Sequence, residues 1–301
     1  MSTEAITVGI TAYRERDRGN YRWIVECIQA AAESPLVSHI VVVDDWPDDH
    51  EELVGVLRSL SVPKLYWVRN DVNVGVFGAK CRAVINAFTN WVLVADSDNT
   101  YEPSYFERLE KEQPWDERVW YSTSWGWPSL DYRHFVGDWR LGDVERLIAS
   151  KHGWCVANTG NQLVHRQTFL EAFGRIPTYR FDLTQPDYFQ AGDRSALHWR
   201  LAYDALDSMF LNRVWWVAGG TLRIVDGLMY RHRVDKVAPG NYIRSPVDKE
   251  SIGPAYLLEL RDAANGEQHQ YVLKERRGRY FDFTRDDGAV VTVDFHAGKI
   301  L

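Results

Sequence analysis

Along the first hundred residues, short apolar runs alternate with stretches whose apolar positions recur every three or four residues. Ile6–Thr11, Ser38–Asp44, Lys64–Val68 and Trp91–Ala95 are runs of the first kind and predict buried strands. Between the first two, Ile24, Val25, Ile28, Ala31 and Ala32 mark one face of a helix that Asn20 is placed to cap. Asp48 and Glu51 read as a capping box ahead of Leu53, Val54, Leu57 and Leu60. Gly78–Phe88 predicts a third helix with Ala79, Ala83, Val84 and Ala87 turned inward. Strands alternating with helices predict an α/β domain: a mainly parallel, Rossmann-like sheet with right-handed crossovers and helices on both faces. Ligands of such sheets bind beyond the carboxyl ends of the strands. That rule singles out Thr11, Ala12 and Tyr13, then Asp44 and Asp45, then Asp96, Ser97 and Asp98.

The rhythm breaks between Pro114 and Trp154, where Trp115, Trp120, Trp125, Trp127, Trp139 and Trp154 crowd one irregular stretch. Large aromatics mainly fill interiors, and the crowding suggests that a few of these line a cleft. Beyond it, Arg166–Phe173 and Asp204–Trp216 predict helices and Gly220–Arg231 a strand. After Pro239-Gly240, apolar segments at Tyr256–Arg261, Gln270–Lys274, Tyr280–Thr284 and Ala289–Phe295 are separated by Asn265-Gly266, Arg277-Gly278 and Asp287-Gly288. They predict a small antiparallel, β-rich appendage.

Composition narrows the function classes. Of 301 residues, 45% are hydrophobic and 26% charged, and no apolar run approaches a membrane span. The net charge of −7 argues against nonspecific binding to nucleic acid. Cys27, Cys81 and Cys155 form no C-x-x-C pair, which excludes a disulfide framework and a structural zinc site. With no basic, apolar leader after Met1, a cytoplasmic location is expected. Thirteen Trp beside 15 Tyr and 12 Phe suit flat partners such as sugar rings or bases.

Asp96 and Asp98 leave a strand two residues apart, so both carboxylates can face one site. Two hard oxygen donors suit Mg2+ or Mn2+ shared with phosphates. A carboxylate at Asp44 or Asp45 could accept N3–H of uracil or N1–H of guanine, whereas cytosine N3 and adenine N1 are acceptors. Asp48 and Asp49 serve the next helix.

Taken together, I-T-V-G-I-T-A-Y-R-E, V-V-V-D-D-W-P-D-D, N-D-V-N-V-G-V-F-G-A-K-C and W-V-L-V-A-D-S-D-N resemble the nucleotide-sugar-binding half of GT-A glycosyltransferases, especially the inverting family 2. The family's N-x-G-x-x-x-A-R-N appears as Asn73, Gly75, Ala79, Lys80 and Cys81, and its D-D-G-S as Asp44-Asp45-Trp46-Pro47. Downstream, Asn158-Thr159-Gly160-Asn161 resembles a segment lining the donor sugar. Asp207, Arg213 and Gly219 keep the spacing of the family's E-D-x-x-L-x-x-R-L-x-x-A-G helix, with Leu206 replacing the Glu. Tyr230-Arg231-His232-Arg233 resembles the segment that supplies a metal-binding histidine.

The resemblance covers about residues 5–235 and implies 1–113 as the nucleotide-sugar-binding half and 114–240 as the acceptor half; 241–301, the β-rich appendage, match nothing in it. It implies sugar transfer from a nucleoside diphosphate sugar, UDP first and GDP second, to a carbohydrate hydroxyl with inversion. Asp98, His232 and Asp96 would hold Mn2+ or Mg2+, Lys80 would face the diphosphate, and Asp207 would act as general base. Asp204, Asp187 and Asp193 are the other carboxylates to weigh. Two rivals remain: a noncatalytic carbohydrate- or nucleotide-binding protein, and a sugar-1-phosphate nucleotidyltransferase. The latter wants a glycine-rich loop where Thr11-Ala12-Tyr13-Arg14-Glu15 stands.

Overall fold

The computed structural model describes residues 4–17, 19–150, 153–174, 180–181, 189–190, 207–233, 249–294 and 299–301. The predicted alternation is present as β1 (Ile6–Ala12), α1 (Arg22–Glu33), β2 (Val37–Asp44), α2 (His50–Ser59), β3 (Leu65–Arg69), α3 (Gly75–Ile85) and β4 (Trp91–Asp96). There follow β5 (Asn99–Tyr101), α4 (Pro103–Glu110), β6 (Val119–Trp127), β7 (Leu130–Asp131), β8 (Gly137–Trp139), α5 (Val144–Ala149), α6 (Trp154–Ala157), β9 (Leu163–His165) and α7 (Arg166–Gly174). The chain continues through β10 (Arg180–Phe181), β11 (Phe189–Gln190), α8 (Asp207–Val217) and β12 (Thr221–His232). It ends with α9 (Lys249–Ala264), β13 (Tyr271–Arg277), β14 (Tyr280–Arg285), β15 (Val290–Asp294) and β16 (Lys299–Ile300).

One sheet organises the domain in the order β3-β2-β1-β4-β9-β6-β12-β5, with β7 on β6 and β8 on β12. Neighbours β3, β2, β1 and β4 are parallel, as are β6 and β12; the short β9 runs antiparallel between β4 and β6. All six long strands therefore end at one edge. Register places Thr11 beside Asp96 and Ala12 beside Asp44, so the residues that end β1, β2 and β4 are lateral neighbours. The first strands are buried on both faces, as their unbroken apolar runs require.

Three local readings change. Asn20 does not cap α1: Asn20 and Tyr21 both have positive φ, and no side chain closes the helix start. The turn is held instead by Tyr21 N–H on the Glu15 carbonyl and by Tyr21 OH on Glu52. Asp48 and Glu51 form no capping box, because a single 3-10 turn at Pro47–Asp49 intervenes before α2. Tyr256–Arg261 is not a strand but the middle of α9. Its Tyr256, Leu257 and Leu260 enter the main core beside Trp139, Leu147 and Trp216, while Ala255 and Leu258 pack under Tyr271, Phe281, Phe283 and Val293. A helix buried on two sides is apolar nearly all round, and its sequence loses the helical period. The antiparallel sheet β13-β14-β15-β16 is present as expected, with β16 added.

The Trp-rich stretch splits between core and surface. Trp115, Trp120 and Trp139 are buried, and Trp120 stacks on Trp215 with centroids 4.7 Å apart. Such a pair adds about 0.5–1.5 kcal/mol beyond its buried area. Trp125 and Trp154 are half-buried, and Trp127 is exposed.

Candidate active site

The carboxyl edge of the sheet gathers nearly every residue singled out above. Ala12 C=O accepts the Asp45 N–H at 2.9 Å and Thr11 C=O accepts the Ser97 N–H at 3.3 Å, lacing three strand ends together. Tyr13 leaves β1 and meets Trp46 edge-on at 5.1 Å, with the Arg14 guanidinium 5.0 Å from the same indole. This aromatic corner stands at the mouth of the β1–β2 crevice, where a planar base could stack.

Below it, Asp44 and Asp45 are both buried. Asp44 accepts the Trp46 N–H at 3.0 Å and pairs with His50 Nδ1 at 2.6 Å. Asp45 Oδ1 accepts both Asn70 Nδ2 and the Val74 N–H at 2.8 Å. Burial pushes the Asp45 carboxyl up to about 7, against the pull of its hydrogen-bond donors. Asn73 caps its own turn, its Oδ1 taking the Gly75 N–H at 2.9 Å. Gly75 has φ of 78°, a conformation that favours glycine, so N-x-G here is a device for starting α3. Asp45 and Asn73 thus shape the loop under the ligand crevice.

That loop aims α3 so that Lys80, itself buried, meets Asp96 Oδ1 at 3.0 Å. Lys80 therefore compensates the first carboxylate of D-S-D. The intervening Ser97 is buried and donates its hydroxyl to Glu15 Oε1 at 2.6 Å. The same oxygen accepts the Tyr13 N–H at 3.1 Å. Glu15 is a buried brace between the β1 loop and D-S-D that sequence reasoning passed over. Its one available signal was an acid within an otherwise ligand-facing loop.

Asn161 plays a similar part from the other side. It is buried, with positive φ, and its Oδ1 accepts Asn99 Nδ2 at 3.0 Å and Tyr101 OH at 2.7 Å, with the Asp96 N–H at 3.5 Å. Tyr230 hydrogen-bonds the same side chain. Its amide faces the protein beneath D-S-D, a positioning role where the resemblance implied contact with the donor sugar.

Asp98, half-exposed, precedes Asn99, which pairs in register with His232 at the end of β12. His232 Nδ1 is 2.7 Å from Ser129 Oγ, a contact that orients the ring. Asn99 Oδ1 is a buried oxygen with no hydrogen-bond partner. A hard carboxylate and an imidazole are donors of the kind that a Mg2+- or Mn2+-class cation takes. Asp96, Asp98 and His232 do not bring ligand atoms within 4.8 Å of one another. Among the described residues Asp262, Glu267 and His269 do. Two of those three are already engaged: Asp262 accepts Tyr271 OH at 2.6 Å, and His269 lies 3.0 Å from Asp286.

Helix α8 begins at Asp207 on the same edge. Ser208 backs onto Gly160, where an added Cβ would stand 3.0 Å from Ser208 Oγ. Asn212 staples the helix to the segment before Asn161, donating to Ala157 C=O at 2.7 Å and accepting from Gln162 at 2.6 Å. Arg213 points away from the edge, to Glu259 Oε2 of α9 at 2.5 Å. The Asp207 side chain, Asp187, Asp193 and Asp204 lie outside the described residues.

A search of curated protein sequences found no match. Among solved structures, the fold is similar to S. aureus TarS 1-349 in complex with UDP-GlcNAc. The TM-score is 0.52 at 13% identity, covering 86% of this chain and 66% of that one. It is also similar to GalNAc-T7 with UDP, GalNAc and Mn2+, at TM-score 0.50 and 14% identity, covering 76% of this chain and 43% of that one. The chain thus spans under two thirds of either relative's length. These likenesses show a GT-A fold. The family model described as Glycosyl transferase family 2 matches residues 7–172, more than half of the 301. With D-S-D, N-x-G and the β1 loop all inside that span, the chain belongs to glycosyl transferase family 2.

Proposed function

We propose that this glycosyltransferase moves a sugar from a nucleoside diphosphate sugar, UDP-sugar first, to a carbohydrate hydroxyl with inversion. The observation that supports it most is the convergence of the Tyr13–Trp46 corner, Asp44, Asp96, Asp98, His232 and the start of α8 on one edge of the sheet. The base stacks at the aromatic corner. Asp44 or Asp45, the buried acids at the end of β2, accepts its N–H. Asp98 and His232, with Asp96 nearby, would hold Mn2+ or Mg2+, which when bound offsets charge on the departing diphosphate. Lys80 holds Asp96 in place and limits the repulsion that two bare carboxylates would present to phosphate. Asp207, at the acceptor side, takes the proton of the attacking hydroxyl. Three free cysteines suit a reducing, cytoplasmic setting.

The test is incubation with a panel of nucleotide sugars and Mn2+, followed for slow donor hydrolysis, beside calorimetric titration with UDP, GDP, ADP and CMP. UDP is expected to bind most tightly, with UDP-sugar hydrolysed. Tightest binding of ADP or CMP would overturn the donor, and no nucleotide bound or hydrolysed would overturn the reading.

A further inference from the structure

The ends of β6 and β12 carry a surface that the donor site does not use. Register pairs Trp125 with Met229 and Trp127 with Arg231, so these four side chains share one face of the sheet. That face is turned to solvent: Trp127 is 45% exposed and Met229 36%, while Gly126 between the tryptophans lies on the opposite, buried face. An added Cβ at Gly126 would come 2.8 Å from Tyr230 OH, so the strand approaches β12 closely there.

Each indole is bordered by a guanidinium, and the two differ. Arg133 lies 4.1 Å from the Trp125 ring and is neutralised by a two-point pair with Asp131 at 2.9 and 2.6 Å. This pair holds the Asp131 carboxyl down to about 2. Arg231 lies 5.9 Å from the Trp127 ring, and among the described residues it has no carboxylate partner. In a chain of net charge −7, an exposed cation beside an exposed indole, with no carboxylate partner among the described residues, is a local positive spot.

We propose that this face binds an anionic glycan, with a sugar ring lying on Trp127 and its carboxylate or phosphate on Arg231. The apolar C–H face of a pyranose complements the electron-rich indole, and a planar guanidinium suits a two-oxygen anion. Both strands end at the edge that holds Asp98 and His232, so a chain lying along the platform is led toward the site. In making this glycan the acceptor, the inference rests on the glycosyl-transfer reading above.

Tryptophan fluorescence titration of the full chain with tetragalacturonate, phosphorylated maltotetraose and neutral maltotetraose tests it. The wild type is expected to bind one of the two anionic oligosaccharides at least tenfold more tightly than the neutral one, which also separates carboxylate from phosphate. Arg231→Ala should abolish that preference while keeping neutral binding. Trp127→Ala should weaken every glycan tenfold or more, with Trp127→Phe restoring part. Equal affinity for charged and neutral glycans, wild-type behaviour of both alanine variants, or tighter binding of oligouridylate would overturn the platform. UDP titration in Mn2+ on the same proteins separates the two readings. Unchanged UDP affinity is expected in the variants, and a wild type that keeps its glycan preference but binds no UDP sinks the donor reading alone.

Discussion

The two ends of the carboxyl edge are built on opposite plans. Under β1, β2 and β4, each polar side chain is tied to another: Asp44 to His50, Asp45 to Asn70 and Val74, Asp96 to Lys80, Ser97 to Glu15, and Asn161 to Asn99 and Tyr101. At the ends of β6 and β12, Trp127, Met229 and Arg231 are exposed, and Trp125 is half-buried with Arg133 over its ring. Buried networks are rigid because each lost partner leaves a desolvated group unpaired. Exposed aromatic faces cost little to alter. The first end is thus a fixed scaffold, and the second an open surface.

The largest expected effect lies at the start of α8. Asp207→Asn keeps the size of the side chain but removes its basicity, and kcat should fall by about two to four orders of magnitude with donor affinity nearly unchanged. Steady-state kinetics with Asp204→Asn as control checks it, and normal turnover in Asp207→Asn would remove α8 from the chemistry.

Next comes the network itself. Asn161→Ala deprives Asn99 and Tyr101 of their shared acceptor and puts alanine at positive φ, so stability should drop by roughly 2–4 kcal/mol. Denaturant unfolding measures this. A loss as small as that from Trp127→Ala, expected within about 0.5 kcal/mol as for an ordinary surface site, would erase the contrast between the two ends.

Asp98→Asn should weaken UDP binding in Mn2+ by about tenfold or more, in the range seen when groups supporting a metal are altered, while the unfolding midpoint stays put. Equal UDP affinity with and without chelator would show D-S-D to be only a turn.

The smallest effect is electrostatic. An acid whose pKa is higher folded than unfolded binds its proton more tightly when folded. For Asp45, up to about 7 from an ordinary 3.8, the resulting stabilisation is complete below pH 3.8 and is lost as pH rises through 7. Between pH 5 and 8 it should decline by about 3 kcal/mol. Asp45→Asn should flatten this slope and be the more stable protein at pH 8. Parallel melting curves for the two proteins across that range would mean Asp45 is ionised throughout.

The fold's first half was legible because local chemistry and tertiary environment agree there. Strands buried on both faces read as continuous apolar runs, and carboxylates at their ends mark the edge where ligands bind. The place of D-S-D at a strand end, and the resemblance of the N-x-G and Tyr-Arg-His-Arg segments to those of the family, pointed to candidate residues before any coordinates. What sequence alone could not decide is what each polar group faces. Glu15 and Ser97 are 82 residues apart and Asn161 and Tyr101 are 60 apart, and only the folded sheet makes them partners. Helix α9 was misread because tertiary burial on two sides erased its period. Sequence determined the order of strands and helices, through hydrophobic spacing that acts over a few residues. Tertiary structure decided which carboxylates brace the site and which indoles meet solvent, because pairing and exposure depend on neighbours supplied from distant parts of the chain.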